Sequence, residues 1–363
     1  MSTTSTVTAH ETSGSIKVKA EEKQEQTEYK YAHLLPTFPK DEHYPPLEPF
    51  EHVDPGHRAL QHPNPRQFLE NAKVSQLTPP AGEEIRGVNL ATLTNDERDE
   101  LALEVAKRKV LVLRDQQDFI ERGPDFWLEW GRHFGRLHIH PTSGHPDGYP
   151  HLHLVYRDKH STFNYEHSDR TIATSWHSDV SYERQPPGLT TLFLVAAPET
   201  GGDTVFTSQV TTLRRLSPDF VAFLRTLRAT HSAHEQAEFS RAGNRGGVVR
   251  REPVVHEHPV IRRHPVTGEE ALYVNRQFTR RIVGFKKEES DAILNFLYDH
   301  IDRSIDSQVR THWEPYTVVL WDNRVTAHSA ILDFTEEGAV RHGIRITPQA
   351  ERPIPANPDL KLN

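Results

Sequence analysis

Thr317-Val-Val-Leu-Trp-Asp-Asn-Arg-Val-Thr-Ala-His328 is the stretch whose reading sets the fold class. An apolar, β-branched run enters a turn-prone Asp-Asn pair, and a histidine follows just beyond it. So short a run, closed by turn residues, reads as a buried strand rather than a helix. The same pattern recurs at Thr190–Ala196, Val205–Ser208, Ala271–Asn275 and Arg341–Thr347. Helical signals are fewer. Thr94-Asn-Asp-Glu97 is a capping box leading to Leu101 and Val105, and it feeds an apolar strand at Val110–Leu113. Phe126, Trp130 and Phe134 keep helical spacing, as do Ile293, Leu297 and Ile301. Ser217-Pro218 offers an N-cap and first-turn proline for a helix with Phe220, Phe223, Leu224 and Leu227 on its core face. Many short strands with a few helices predict a mainly β fold with helical cover, a sandwich or barrel.

Composition narrows the chemistry. The chain has 363 residues and no cysteine, which removes thiolate nucleophiles, iron–sulfur clusters and Cys-type zinc sites together. Any metal must sit on histidines and carboxylates. A net charge of −8 argues against a nucleic-acid surface, although the basic cluster Arg245–Arg251 could steer a small anion. Residues 1–30 carry almost no large apolar side chains and read as a disordered tail. Residues 31–80 are rich in Pro and His and read as an extended segment wrapping the domain. The main domain is expected over 81–350, followed by a tail at 351–363. No signal-peptide pattern opens the chain, and no apolar run approaches the ~18 residues of a membrane span. A cytoplasmic protein is expected. A homo-oligomer is compatible with the sequence, and no stretch identifies its interface.

With 24 histidines, a His-x-Asp pair means little alone. Five occur: His52/Asp54, His145/Asp147, His167/Asp169, His177/Asp179 and His300/Asp302. Residues i and i+2 share a face on a strand, whereas on a helix they diverge by ~200°. That sets aside His300/Asp302, which lies in a helical pattern. His52 and His145 stand in Pro- and Gly-rich loop sequence, and His167 in a polar stretch. Trp176-His-Ser-Asp-Val180 interleaves apolar with polar residues, as a strand lining a cavity would. A buried His–Asp hydrogen bond explains that pair equally well on spacing alone, so a third ligand has to decide.

His328, beyond the Asp-Asn turn, is that third residue. At this point the chain resembles the TauD/TfdA dioxygenases. The pieces that carry the resemblance are Val112-Leu-Arg-Asp-Gln116, Phe134-Gly-Arg-Leu-His-Ile-His-Pro141, Trp176–Asp179, Gly201-Gly-Asp-Thr204, Asn275–Ile282, Trp321–His328 and Arg341-His-Gly-Ile-Arg345, in matching order. The resemblance implies a double-stranded β-helix, or jelly roll. It implies Fe(II) held by His177, Asp179 and His328, with 2-oxoglutarate and O2 as co-substrates. Arg341 and Thr204 match the groups that hold the distal carboxylate of 2-oxoglutarate, a planar pairing that guanidinium makes well. Arg345 and His140 match the residues that hold the substrate anion in the sulfonate-oxidising branch, and Phe278 matches an aromatic pocket wall. His138 is expected to be structural. On the Arg341–Ile346 strand, Arg341, Gly343 and Arg345 share a face, with Gly343 expected to leave room between the arginines.

The resemblance therefore implies hydroxylation of the carbon beside a sulfonate or sulfate ester. The products are sulfite or sulfate and an aldehyde, with succinate and CO2 from the co-substrate. Ungapped counting places Ser143 and Ala173 where the taurine enzyme has Tyr and Asn. A larger or less amine-bearing anion than taurine is expected for that reason. Two readings compete: a same-family enzyme acting on a carboxylate such as an aryloxyacetate, and a non-catalytic metal-binding β-barrel. Composition also suggests a flexible lid at Ala237–Pro253.

Overall fold

The computed structural model describes residues 29–158, 171–334 and 339–363. Most of the expected tail, and the pair His167/Asp169, lie outside these residues. Among them the strands in chain order are β1 (Lys73–Gln76), β2 (Glu83–Arg86), β3 (Val110–Leu113), β4 (Leu152–Arg157), β5 (Leu189–Ala196) and β6 (Thr204–Ser208). There follow β7 (Arg228–Ser232), β8 (Val255–Pro259), β9 (Ile261–Arg263), β10 (Glu270–Leu272) and β11 (Thr279–Ile282). The last five are β12 (Gln308–Thr311), β13 (Val318–Asp322), β14 (Thr326–Ala330), β15 (Arg341–Ile346) and β16 (Ile354–Pro355).

Seven strands form the main sheet, in the order β1-β2-β3-β13-β5-β15-β4. A second sheet, β12-β6-β14, is extended by bridges that pair Ala173 with Ile331 and His177 with His328. Two small sheets, β11-β7-β8 and β10-β9-β16, complete the cover. This is the mainly β jelly-roll core with helices outside.

Period-2 alternation gives the main sheet two buried faces. Leu111, Leu113, Phe193, Val318, Leu320, Ile344 and Ile346 pack into the cluster that holds Trp127, Trp130 and Phe134 of the helix Pro124–Phe134. Their neighbours Val110, Val112, Leu192, Leu194, Val319 and Trp321 turn the other way and meet Phe206 and Trp313. Fully burying each such side chain contributes about 1.5–3 kcal/mol, so a one-residue register slip is heavily penalised. Thr94 caps the helix Asn95–Arg108 with the reciprocal Glu97 bond. No described helix is long and apolar enough to cross a membrane.

Some expectations need correcting. β1 belongs to the main sheet, inside the stretch read as a wrapping segment. The expected strand Ala271–Asn275 ends at Leu272. Asn275 instead accepts from Phe278 N at 2.9 Å, a local side-chain bond that competes with the ladder. Phe223 is 39% exposed rather than in the core, and Ser217 caps the helix Pro218–Leu224 without a side-chain bond.

Candidate metal centre and active site

His177 and His328 face each other as an antiparallel bridge pair. His177 N donates to His328 O at 3.1 Å and His328 N to His177 O at 2.8 Å. Directly opposed residues present side chains on one face, and the two rings lie 4.2 Å apart. The expected strand Trp176–Val180 is absent: only His177 is bridged, and Asp179 and Val180 are in a turn. Val180 has φ of 39°, an uncommon and strained backbone state for a β-branched residue. That turn re-aims Asp179, so convergence comes from a bend rather than from strand periodicity.

The bend is held by the β13–β14 turn. Asn323 Oδ1 accepts from Asp179 N at 2.7 Å, and Asn323 Nδ2 donates back to Asp179 O at 3.1 Å. Ser178 Oγ donates to Thr326 O at 2.8 Å. As a result Asp179 Oδ1 lies 3.7 Å from His177 Nε2 and 3.6 Å from His328 Nε2.

The donor set suits a divalent first-row metal. One ligand atom from each of the three residues falls within 4.8 Å of the others. His177 Nδ1 faces Ser175 O at 2.8 Å, which leaves Nε2 with its lone pair toward the centre. Burial, and then the neighbouring His177, push His328 down to about 3, so its ring is neutral. Burial, the largest single influence, would raise Asp179, but the Arg345 guanidinium together with the surrounding histidines outweighs it and holds the carboxyl below its usual value. Asp179 Oδ2 is buried without a hydrogen-bond partner among the described residues, a costly state that an ion would relieve. Two imidazoles and one carboxylate make the facial set that non-haem Fe(II) takes, with coordination positions left open.

One cavity of about 430 Å³ is lined by all the site residues named from sequence: His140, His177, Asp179, Thr204, Phe278, His328, Arg341 and Arg345. Arg341 is buried, donating to Gly202 O at 3.0 Å and to Thr204 Oγ1 at 3.2 Å. Burial, reinforced by Arg157, brings its guanidinium down to about 10, still cationic at neutral pH. Gly343 does not leave open space between the arginines. A methyl there would lie 2.9 Å from Leu194 Cδ2, so the glycine admits the β5 side chains.

Arg345 Nη1 donates to Asp179 Oδ1 at 2.6 Å, and Nη2 donates to His153 Nδ1. His140 Nδ1 accepts from Thr142 N at 3.2 Å and Ser143 N at 3.1 Å, which places the proton of its neutral ring on Nε2. The rings of His140 and His153 lie 4.4 Å apart. Phe278 stands edge-on to His177 at 6.3 Å. His138 is fully buried on Glu183 at 2.9 Å, away from the cavity lining. Ser143 lines the cavity, and Thr174 rather than Ala173 does so at the other position.

Sequence reasoning passed over His153 and Asn323. His153, Val155 and Arg157 alternate along β4 directly opposite Arg345, Gly343 and Arg341. Pairing those two period-2 patterns would have found His153. Asn323 was seen only as a turn residue; its hold on Asp179 spans 144 positions and leaves no local signal. The expected lid is partly anchored. Arg250 is paired with Glu42 at 2.9 Å and Arg251 with Glu183 at 2.9 Å, both buried, so these arginines fasten the segment rather than steer anions.

Residues 73–347 match the family described as "Taurine catabolism dioxygenase TauD, TfdA family". An alpha-ketoglutarate-dependent sulfonate dioxygenase of Saccharomyces cerevisiae is 45% identical over 354 residues, covering 96% of this chain and 84% of that protein. The alpha-ketoglutarate-dependent dioxygenase cnsP of Penicillium expansum is 42% identical, covering 98% and 94%. Among solved structures, a putative alpha-ketoglutarate-dependent taurine dioxygenase from Burkholderia xenovorans superposes with a TM-score of 0.65 at 30% identity, covering 80% of this chain and 96% of that one.

Proposed function

We propose, from the premise that the chain belongs to the TauD/TfdA family of dioxygenases, that its prime substrate is a small sulfonate or sulfate ester. The chain is a 2-oxoglutarate-dependent, non-haem iron dioxygenase, which removes the non-catalytic barrel as a reading. His177, Asp179 and His328 are assigned as the Fe(II) ligands. When bound, Fe(II) couples oxidative decarboxylation of 2-oxoglutarate by O2 to hydroxylation of the substrate.

The observation that carries the substrate class is the placement of Arg345. It shares a cavity wall with His140 and reaches the proposed metal carboxylate at 2.6 Å. An anion held by Arg345 and by the Nε2–H of His140 has its adjacent carbon beside the oxidising centre, which is the bond to be hydroxylated. Arg341 and Thr204 are assigned to the far carboxylate of 2-oxoglutarate. The Trp313 indole donates to Thr204 Oγ1 at 3.2 Å and fixes that hydroxyl. The apolar walls, Phe278, Leu192 and Val180 among them, keep bulk water from the reacting carbon.

The products follow by balance. One oxygen atom of O2 enters succinate, and the other enters the carbon beside sulfur. The α-hydroxysulfonate then expels sulfite and leaves an aldehyde, while a sulfate ester gives sulfate and an aldehyde. Sulfur release beside succinate formation, measured on sulfonates, sulfate esters and aryloxyacetates, tests the reading. Turnover confined to aryloxyacetates would transfer the assignment to a carboxylate substrate.

A further inference from the structure

We infer that a segment outside the family-matched region, Pro36–Phe38, forms a wall of the substrate cavity and sets the bulk of the substrate accepted. This rests on the proposed anionic substrate class and names what limits its size. The matched region begins at residue 73, yet Pro36 and Phe38 line the cavity together with His140, Gly144 and Gly246.

The seat for Phe38 is built from two separate stretches of chain. A methyl placed on Gly246 would lie 2.2 Å from Phe38 Cγ, and one on Gly144 would lie 2.9 Å from Phe38 Cζ and 2.6 Å from Pro36 Cβ. Real side chains do not approach so closely, so both positions must be glycine for the ring to sit there. Gly246 also has φ of 77°, a conformation that glycine adopts without penalty.

The segment is fastened to those same stretches. Thr37 N donates to His145 O at 2.8 Å, and Thr37 Oγ1 donates to the same carbonyl at 2.8 Å. Glu42 contacts His145 Nε2 at 2.8 Å and Arg250 Nε at 2.9 Å, and Tyr44 N donates to Arg250 O at 2.7 Å. His145 lies five positions after the anion-facing His140, and Arg250 four after Gly246. The short segment 36–44 therefore ties together both stretches, and the Phe38 ring is wedged between their glycines. A ring held on two sides is a fixed obstacle rather than a swinging gate. It excludes bulk from the substrate by steric contact.

The test uses full-length, Fe(II)-loaded enzyme with 2-oxoglutarate. The ratio of kcat/KM for phenylmethanesulfonate to that for ethanesulfonate is measured in wild type, Phe38→Ala and Phe38→Trp. Phe38→Ala is expected to raise the ratio roughly tenfold, the scale that removing pocket bulk produces, and Phe38→Trp to lower it. Such a ratio does not depend on the folded fraction, and Phe38→Leu replaces the alanine variant should that fail to fold. An unchanged ratio in the folded variants overturns the wall. Wild-type enzyme silent on sulfonates and sulfate esters overturns the substrate class instead. The wall is then judged on phenoxyacetate against methoxyacetate, by the same two outcomes.

Discussion

Arg345 Nη1 stands 2.6 Å from Asp179 Oδ1, so the residue assigned to the substrate anion also holds a proposed metal ligand. His140 has no such bond among those described to the three ligands; its Nδ1 takes backbone N–H groups instead. Arg345→Gln is therefore expected to lower both substrate affinity and metal affinity, the latter by ~10–100-fold as for other partners of metal ligands. His140→Ala is expected to raise KM for the anion and leave metal affinity near wild type. Metal titration beside steady-state kinetics separates the two. Equal metal affinity in Arg345→Gln and wild type would sink the coupled role.

Arg341 and Thr204 answer to a different ligand. Arg341→Gln removes a charged, directional donor from a buried site, and KM for 2-oxoglutarate is expected to rise by roughly 100-fold. Thr204→Val keeps the shape and loses one hydroxyl, so a rise of about three- to tenfold is expected. In both, KM for the prime substrate should move far less. The opposite pattern would exchange the assignments of Arg341 and Arg345.

The decoy pair gives a sharp contrast. His177→Ala is expected to abolish succinate formation, whereas His167→Ala, in the identical His-Ser-Asp tripeptide, leaves it near wild type. Loss of turnover in His167→Ala with retention in His177→Ala would refute the ligand assignment.

Legibility from sequence followed the range of the interactions. The capping box at Thr94, the helix Pro124–Phe134 and the cores of β3, β5, β13 and β15 were readable because their signals repeat within a few residues. The alternation on β15 correctly put Arg341 and Arg345 on one face. His177 and Asp179 were chosen for a strand that does not exist. Their side chains converge because a strained turn at Val180, pinned from Asn323, brings the carboxylate round. Phe38 was equally hidden, since a proline-rich segment carries no period, and its seat is made by glycines more than 100 and 200 positions away. Gly343 was read correctly for its face and wrongly for its purpose, because which neighbour fills a gap depends on cross-strand packing.

Asn323 makes the hold on Asp179 testable. Asn323→Ala loses both bonds to the Asp179 main chain, one in each direction. Metal affinity is expected to fall ~10–100-fold while the fold persists, because the ligands remain but their aim is loosened. Excess metal should then restore much of the turnover in Asn323→Ala. It should not restore His177→Ala, which lacks a ligand outright. Failure of metal to rescue Asn323→Ala would mean that Asn323 acts on the fold rather than on aim.

The turn carrying Asn323 is itself held by a buried ionic cluster, and its charges give a pH signature. Arg324 pairs with Asp322 at 2.6 Å, with Asp54 from the N-terminal segment, and with Glu351 at 3.3 Å from the C-terminal one. Burial alone would raise both aspartates, but Arg324, aided by His264 at 2.9 Å from Asp322, holds Asp54 below its usual value and Asp322 well below it. A depressed carboxyl contributes stability above its unfolded pKa of about 4, and loses it as pH falls through the folded value. In Arg324→Met the main charge opposing burial is gone while His264, 2.9 Å from Asp322, remains, so both folded pKa values rise and the pH dependence weakens. The variant is expected to be less stable than wild type by about 3–5 kcal/mol at pH ~7, the usual result of stranding buried charges. That deficit should shrink as pH drops below ~4, because the unfolded chain takes up protons there that the depressed wild-type carboxyls do not. Urea unfolding of metal-free protein at the two pH values reads it directly. A deficit that stays constant with pH would show that Arg324 stabilises by packing rather than by charge.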